Sequence, residues 1–135
     1  MATVNLTRKV KNAEKKNICV AAATVAYTDI PGTDNYELFT IPGDCVITGV
    51  RTYAETAGQT GLTADIGYAG GTELKSNADL DDTAPKFDAV LLASGTGKTV
   101  TIKPDAAPTA GKFHVMVEYI EYTRGNGEYS EYSAN

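Results

Sequence analysis

From residue 18 onward, apolar and polar side chains alternate with a period of two, the spacing at which the side chains of an extended strand return to one face. Leu62, Ala64, Ile66 and Tyr68 alternate with Thr63, Asp65 and Gly67, and Val100 and Ile102 stand against Thr99, Thr101 and Lys103. The segment KFHVMVEYIEYT sets Phe113, Val115, Val117 and Tyr119 on one face and His114, Met116, Glu118 and Ile120 on the other. Less regular runs begin at Ile18, Asn35, Cys45 and Ala89. Breakers fall between all of these: Pro31-Gly32, Pro42-Gly43-Asp44, Gly58 to Gly61, Gly70-Gly71, Gly95 to Gly97 and Pro104 to Gly111. The pattern predicts seven strands, with VNLTRKV at the start as a candidate eighth. No stretch carries helical spacing over a useful length. The expected fold is therefore all-β: an antiparallel sandwich or barrel over residues 18–123, with an N-terminal arm at 1–17 and a polar tail at 124–135.

Two segments depart from the alternation. The stretch from Gly70 to Asp88 reads as a long loop in which ELKSNADL takes a helical turn or two, and ordered loops of that length tend to be functional or to cover something. The tail from Arg124 is polar apart from Tyr129 and Tyr132, whose rings suit anchoring to another subunit.

The core such a chain can build is thin. Of 135 residues, 18 are Ala and 8 Tyr, against 10 Val, 7 Ile, 7 Leu, 3 Phe and no Trp. Each apolar Å² that a partner covers adds roughly 25 cal/mol, so assembly with other chains is the expected way to complete such a domain. Charge is unevenly placed. Arg8, Lys9, Lys11, Lys15 and Lys16 against Glu14 give the first 16 residues a net charge of +4, and the remainder carries −9. A basic arm on an acidic body fits docking on an acidic surface, and an overall charge of −5 argues against a general nucleic-acid binder. No run reaches the roughly 20 apolar residues of a membrane helix, and the start lacks the pattern of an export signal.

Motifs that would carry chemistry fail on inspection. SGTGKT resembles a phosphate-binding loop, but that loop needs a Gly five positions before Gly97, where this chain has Leu92, and a following helix. A hairpin turn with Gly95 and Gly97 at positive φ accounts for it. His114 is the single histidine and has no nucleophile or second metal ligand near it in sequence, so it reads as a surface or interface residue. Asp79, Asp81, Asp82 and Asp88 lack the spacing of a helix-loop-helix calcium site and read as solvated loop acids. Cys19 and Cys45 sit in apolar runs as reduced thiols that pack like small hydrophobes. No catalytic residue, metal or cofactor is expected, and the chain reads as a non-enzyme.

The order of segments carries a resemblance. A strand ending in IPGDCVITGVRTYAET is followed by LTADIGYAGGTELK, a loop, a hairpin and a closing FHVMVEYIEY strand. Over about residues 35–123 this resembles the head decoration, or capsid cement, proteins of tailed bacteriophages. The resemblance implies a jelly-roll-like antiparallel β-sandwich on the outer face of the virion capsid, made in the host cytoplasm, that associates as a trimer and binds the major capsid protein so as to staple neighbouring subunits. It implies no direct contact with nucleic acid or membrane. Interface residues on this reading are Arg8, Lys9, Lys11, Lys15 and Lys16 of the arm and Tyr129 and Tyr132 of the tail. Two other readings are open on the same fold: a virion-attached carbohydrate-binding or host-adhesion module, for which the tyrosines and the Gly70–Asp88 segment speak, and a tail or connector component.

Overall fold

The computed structural model describes Ala2 and residues 17–122. Eight strands run in the order β1 (Cys19–Ala26), β2 (Tyr36–Pro42), β3 (Cys45–Thr56), β4 (Thr63–Tyr68), β5 (Lys75–Asp79), β6 (Lys86–Ala93), β7 (Gly97–Pro104) and β8 (Lys112–Glu121), with one 3-10 turn at Tyr27–Asp29 after β1. They form two four-stranded sheets, ordered β1-β8-β3-β6 and β2-β7-β4-β5, with every pairing antiparallel. This order is that of a jelly roll, as the family resemblance implies. The arm, the tail and the candidate strand VNLTRKV lie outside the described residues apart from Ala2 and Asn17.

Only β4 and β5 are both consecutive in sequence and paired; every other connection changes sheet. That corrects two expectations. The segment SGTGKT is a tight turn with Gly95 at φ +59° and Gly97 at φ +120°, but β6 and β7 belong to different sheets, so it is a corner of the sandwich and not a hairpin. The segment from Gly70 to Asp88 is not one loop with a helical turn, since it contains β5 and the first residues of β6.

The two corners β2–β3 and β6–β7 are tied together at one end of the sandwich. Ser94, fully buried, donates from Oγ to the Pro42 carbonyl at 2.7 Å and accepts the Cys45 N–H at 3.0 Å. The Asp44 N–H donates to the Gly95 carbonyl at 3.0 Å, from a residue at φ +60°. At one lateral margin a Lys75–Asp88 ion pair of 3.0 Å joins edge strands β5 and β6 across the two sheets.

Between the sheets lie Ile41, Ile47, Val50, Ile66, Val100, Ile102, Phe113, Val115 and Val117, all inaccessible to solvent, with Ile30, Leu62 and Leu80 nearly so. Among the described residues, Phe113 is the one aromatic that is fully buried, in keeping with the thin core read from composition. Cys45 is buried and Cys19 half-buried, and both thiols are free, as expected.

Candidate docking face

The outer face of the β1-β8-β3-β6 sheet is where the alternation delivers side chains that the core does not use. β8 contributes His114, Met116, Glu118 and Ile120, β3 contributes Thr48, Arg51, Tyr53 and Glu55, β1 contributes Val20, Ala22 and Thr24, and β6 contributes Phe87, Ala89 and Leu91. Among the described residues, Ile18, Val20, Tyr27, Phe87, Leu91 and Tyr122 are the large apolar side chains left exposed, and none lies on the opposite sheet. Leu91 is 79% exposed, Ile18 60%, Val20 52% and Phe87 51%. The outer face of the other sheet is polar, with Thr40 and Thr99 3.4 Å apart and Asp65 accepting the Asn77 N–H at 2.9 Å.

A fixed polar band crosses the middle of the apolar face. A bulge in β3 between Ile47 and Gly49 turns Thr48 outward, and its hydroxyl donates to Glu118 Oε1 at 2.8 Å. Arg51 Nη1 donates to Glu118 Oε2 at 2.6 Å, while its guanidinium lies 4.7 Å from the centroid of the Phe87 ring. Phe87 can lie there because position 49 is glycine: a Cβ on Gly49 would collide with Cε1 of the Phe87 ring. The bond from Arg51, then that from Thr48, holds the Glu118 carboxyl below the usual carboxylate range.

The second half of the band centres on His114. Its ring stacks on Tyr53 with centroids 5.6 Å apart, Nδ1 lies 2.8 Å from Thr24 Oγ1, and Nε2 lies 3.0 Å from Glu55 Oε1. Lys112 Nζ reaches Glu55 Oε2 at 3.5 Å. The contact with His114 and the charge of Lys112 lower the Glu55 carboxyl. With His114 neutral, Arg51 and Lys112 balance Glu118 and Glu55, so a face with no net charge sits on a strongly acidic body. Charges already satisfied by one another cost less to remove from water, and apolar margins flank them; both features suit contact with another protein.

His114 is thus a surface residue, as its strand position predicts. Three of the four clustered acids are engaged locally: Asp81 accepts the Gly61 N–H at 2.8 Å, Asp82 accepts the Ala84 N–H at 3.0 Å and pairs with Lys86, and Asp88 pairs with Lys75. No group of three metal-ligating side chains occurs among the described residues. Arg8, Lys9, Lys11, Lys15, Lys16, Tyr129 and Tyr132 all lie outside the described residues. The described residues that border these segments lie together at one end of this sheet, where Cys19 at the start of β1 pairs with Tyr119 near the end of β8. Sequence reasoning looked to the extensions for an interface and did not single out the sheet face. The alternation did contain it, in the outward set Phe87, Ala89 and Leu91, which is apolar where a solvated face would be polar.

No protein-family model matches the chain, and no curated protein matches its sequence. Solved structures do share its fold. A chain of the cyanophage Pam1 capsid asymmetric unit superposes with a TM-score of 0.63 at 19% identity, over 90% of this chain and 100% of that one. A chain of the Ralstonia phage GP4 capsid gives 0.60 at 17% identity, over 80% and 86%. One from the acidic stable capsid of the Helicobacter pylori bacteriophage KHP30 gives 0.56 at 14% identity, over 78% and 93%. In each case the shared sandwich makes up nearly the whole of the phage chain, so each of those chains is itself a small domain of this kind.

Proposed function

We propose that this chain is a structural protein of a bacteriophage virion that docks on the outer surface of the capsid and ties neighbouring major capsid subunits together. The observation that carries the proposal is the agreement of fold, over 78–90% of this chain and 86–100% of the other, with small chains from three phage capsids. The charge-balanced, apolar-margined sheet face supports it with a surface of the right character. On this reading the sheet face makes the main contact, and the arm (Arg8, Lys9, Lys11, Lys15, Lys16) and tail (Tyr129, Tyr132) reach neighbouring subunits from the end of the sheet that borders both. Because one molecule touches several subunits, modest single contacts combine, and parting any two subunits also strips the fastener from one of them. The trimeric association implied by the sequence resemblance multiplies that effect. No step in this function calls for a reactive centre.

Purified particles with and without the chain test the reading. Particles lacking it should release DNA at lower temperature or lower external salt than complete ones, and adding the protein back should restore resistance. Equal heat resistance, or absence of the chain from mature particles, would overturn the proposal.

A further inference from the structure

His114, the one histidine of the chain, sits on β8 between Thr24 of β1 and Tyr53 of β3. Both of its ring nitrogens are engaged. The Glu55 carboxylate can only accept, so the neutral ring carries its hydrogen on Nε2, donates it across the 3.0 Å contact to Oε1, and accepts the Thr24 hydroxyl hydrogen at Nδ1 over 2.8 Å. A protonated ring fits the same heavy-atom positions. Nδ1 then donates to Thr24 Oγ1, and the hydroxyl of this exposed residue turns its own hydrogen to water. Stacking on Tyr53 holds the ring plane in either state. The free protein therefore passes between the two states without rearrangement, and what changes is one positive charge on the sheet face.

The groups around the ring decide how that charge is balanced. β3 presents Tyr53 and Glu55, β8 presents Lys112 and Met116, and β1 presents Thr24 and Ala22. Asp29, in the 3-10 turn after β1, is turned to the Ala26 N–H at 2.8 Å. Glu55 already faces Lys112 Nζ at 3.5 Å, so a second cation at His114 shares an acid that is matched. Close to half of the Glu55 and Lys112 side-chain surface is exposed, and a quarter of that of His114, so in the free chain water screens a surplus charge. A partner seated on the face removes that water. Arg51, Lys112, Glu118 and Glu55 then stay balanced among themselves, whereas a protonated His114 takes an unmatched charge into a surface of lower dielectric, where it is unfavourable.

We infer that His114 makes docking of this face sensitive to acid: the chain seats on the capsid with the ring neutral and is released as the ring takes up a proton. The inference rests on the docking reading above and adds a condition to it. A bound form that excludes the proton competes with a free form that accepts it, so affinity falls by at most about tenfold for each pH unit. Imidazoles exchange their proton between about pH 5 and 8. The Glu55 and Glu118 carboxyls, both held below the usual carboxylate range, keep their charge through that window.

Co-sedimentation of the full chain with capsids stripped of it, at pH 8 and pH 5.5, decides the matter. The wild-type chain should lose at least about fivefold in affinity on acidification. His114→Gln keeps an amide that donates to Glu55 and accepts from Thr24 but takes up no proton. It should bind at pH 8 much as the wild type does and change by less than about twofold at pH 5.5, and any change it does show measures titration of the capsid itself. Lys112→Met leaves a protonated His114 as the counter-ion of Glu55, so its affinity relative to His114→Gln should rise in acid. Wild-type affinity that is equal at the two pH values, or that falls equally in His114→Gln, would overturn the inference while leaving the docking in place. A Lys112→Met chain that still weakens in acid relative to His114→Gln would do the same. Wild-type affinity that rises in acid would also refute it, since the capsid would then set an acid against the ring. Failure to sediment with capsids at either pH would refute the docking reading, and this inference with it.

Discussion

Leu91 separates the needs of folding from those of docking more cleanly than any other side chain on the sheet face. It projects outward from β6 with 79% of its surface exposed, so the fold gains little from it and a partner would gain much. Leu91→Ala removes three carbons, each contributing about 0.8 kcal/mol when fully buried, for about 2.4 kcal/mol in all. Only about a fifth of that is realised in the isolated domain. The variant should therefore lose about 0.5 kcal/mol of stability, a fall of about 2 °C in Tm. If docking covers the face, the remaining ~1.9 kcal/mol is lost from each site, a drop of about twentyfold in single-site affinity. The assay is co-sedimentation of the variant with capsids stripped of the native chain, alongside a thermal melt of the free protein. Unchanged capsid affinity with a normal melt would refute the placement of the contact on this face. A large drop in Tm would refute the argument from exposure.

Other perturbations test the fold and the band that crosses the face. Phe113→Ala deletes the one aromatic of the buried core and should cost about 3–5 kcal/mol, lowering Tm by about 10–20 °C in a calorimetric scan. Ser94→Ala leaves the Cys45 N–H and the Pro42 carbonyl without their partner at the stapled corner and should cost about 2–3 kcal/mol in urea unfolding. The Glu118 carboxyl is held down by Arg51 and Thr48, so its contribution is fully present above the ordinary Glu value of 4.5 and is lost as pH falls through the lower folded value. Glu118→Gln should accordingly lower Tm at neutral pH and flatten its decline between pH 5 and 3. Burial raises the Cys45 thiol, so alkylation of the native protein should label half-buried Cys19 first and Cys45 only on unfolding, as peptide mapping would read directly.

Seven of the eight strands are legible from alternation and turn residues because their inward sets, such as Phe113, Val115 and Val117, are continuous runs of apolar side chains at every second position. β5 escapes that reading for physical reasons. KSNAD buries Ala78 alone, Asn77 breaks the extended conformation, and the strand is held by its hairpin with β4 and by flanking Leu74 and Leu80, whose N–H groups donate to Ile66 and Leu62. The corner at Gly95–Gly97 is legible as a turn but not as a change of sheet, since local sequence specifies backbone angles and says nothing about which strand lies alongside. The docking face was obscured by residue type as well. Arg51, Glu118, Glu55 and Lys112 look like ordinary solvated charges until the sheet brings residues about 60 positions apart into contact, and only then do they read as a neutral patch.

The position of β8 has a consequence for assembly on the ribosome. β8 is the last of the eight strands to be synthesised, yet it lies in the interior of its sheet, between β1 and β3, and supplies Met116, Glu118 and His114 to the middle of the outer face. Until it is laid down, β1 has no neighbour, Arg51 has no counter-ion, and the surface that would meet the shell does not exist. On the proposed function, a chain whose translation stops early would have no completed face with which to dock, so the topology itself would keep incomplete copies out of a particle.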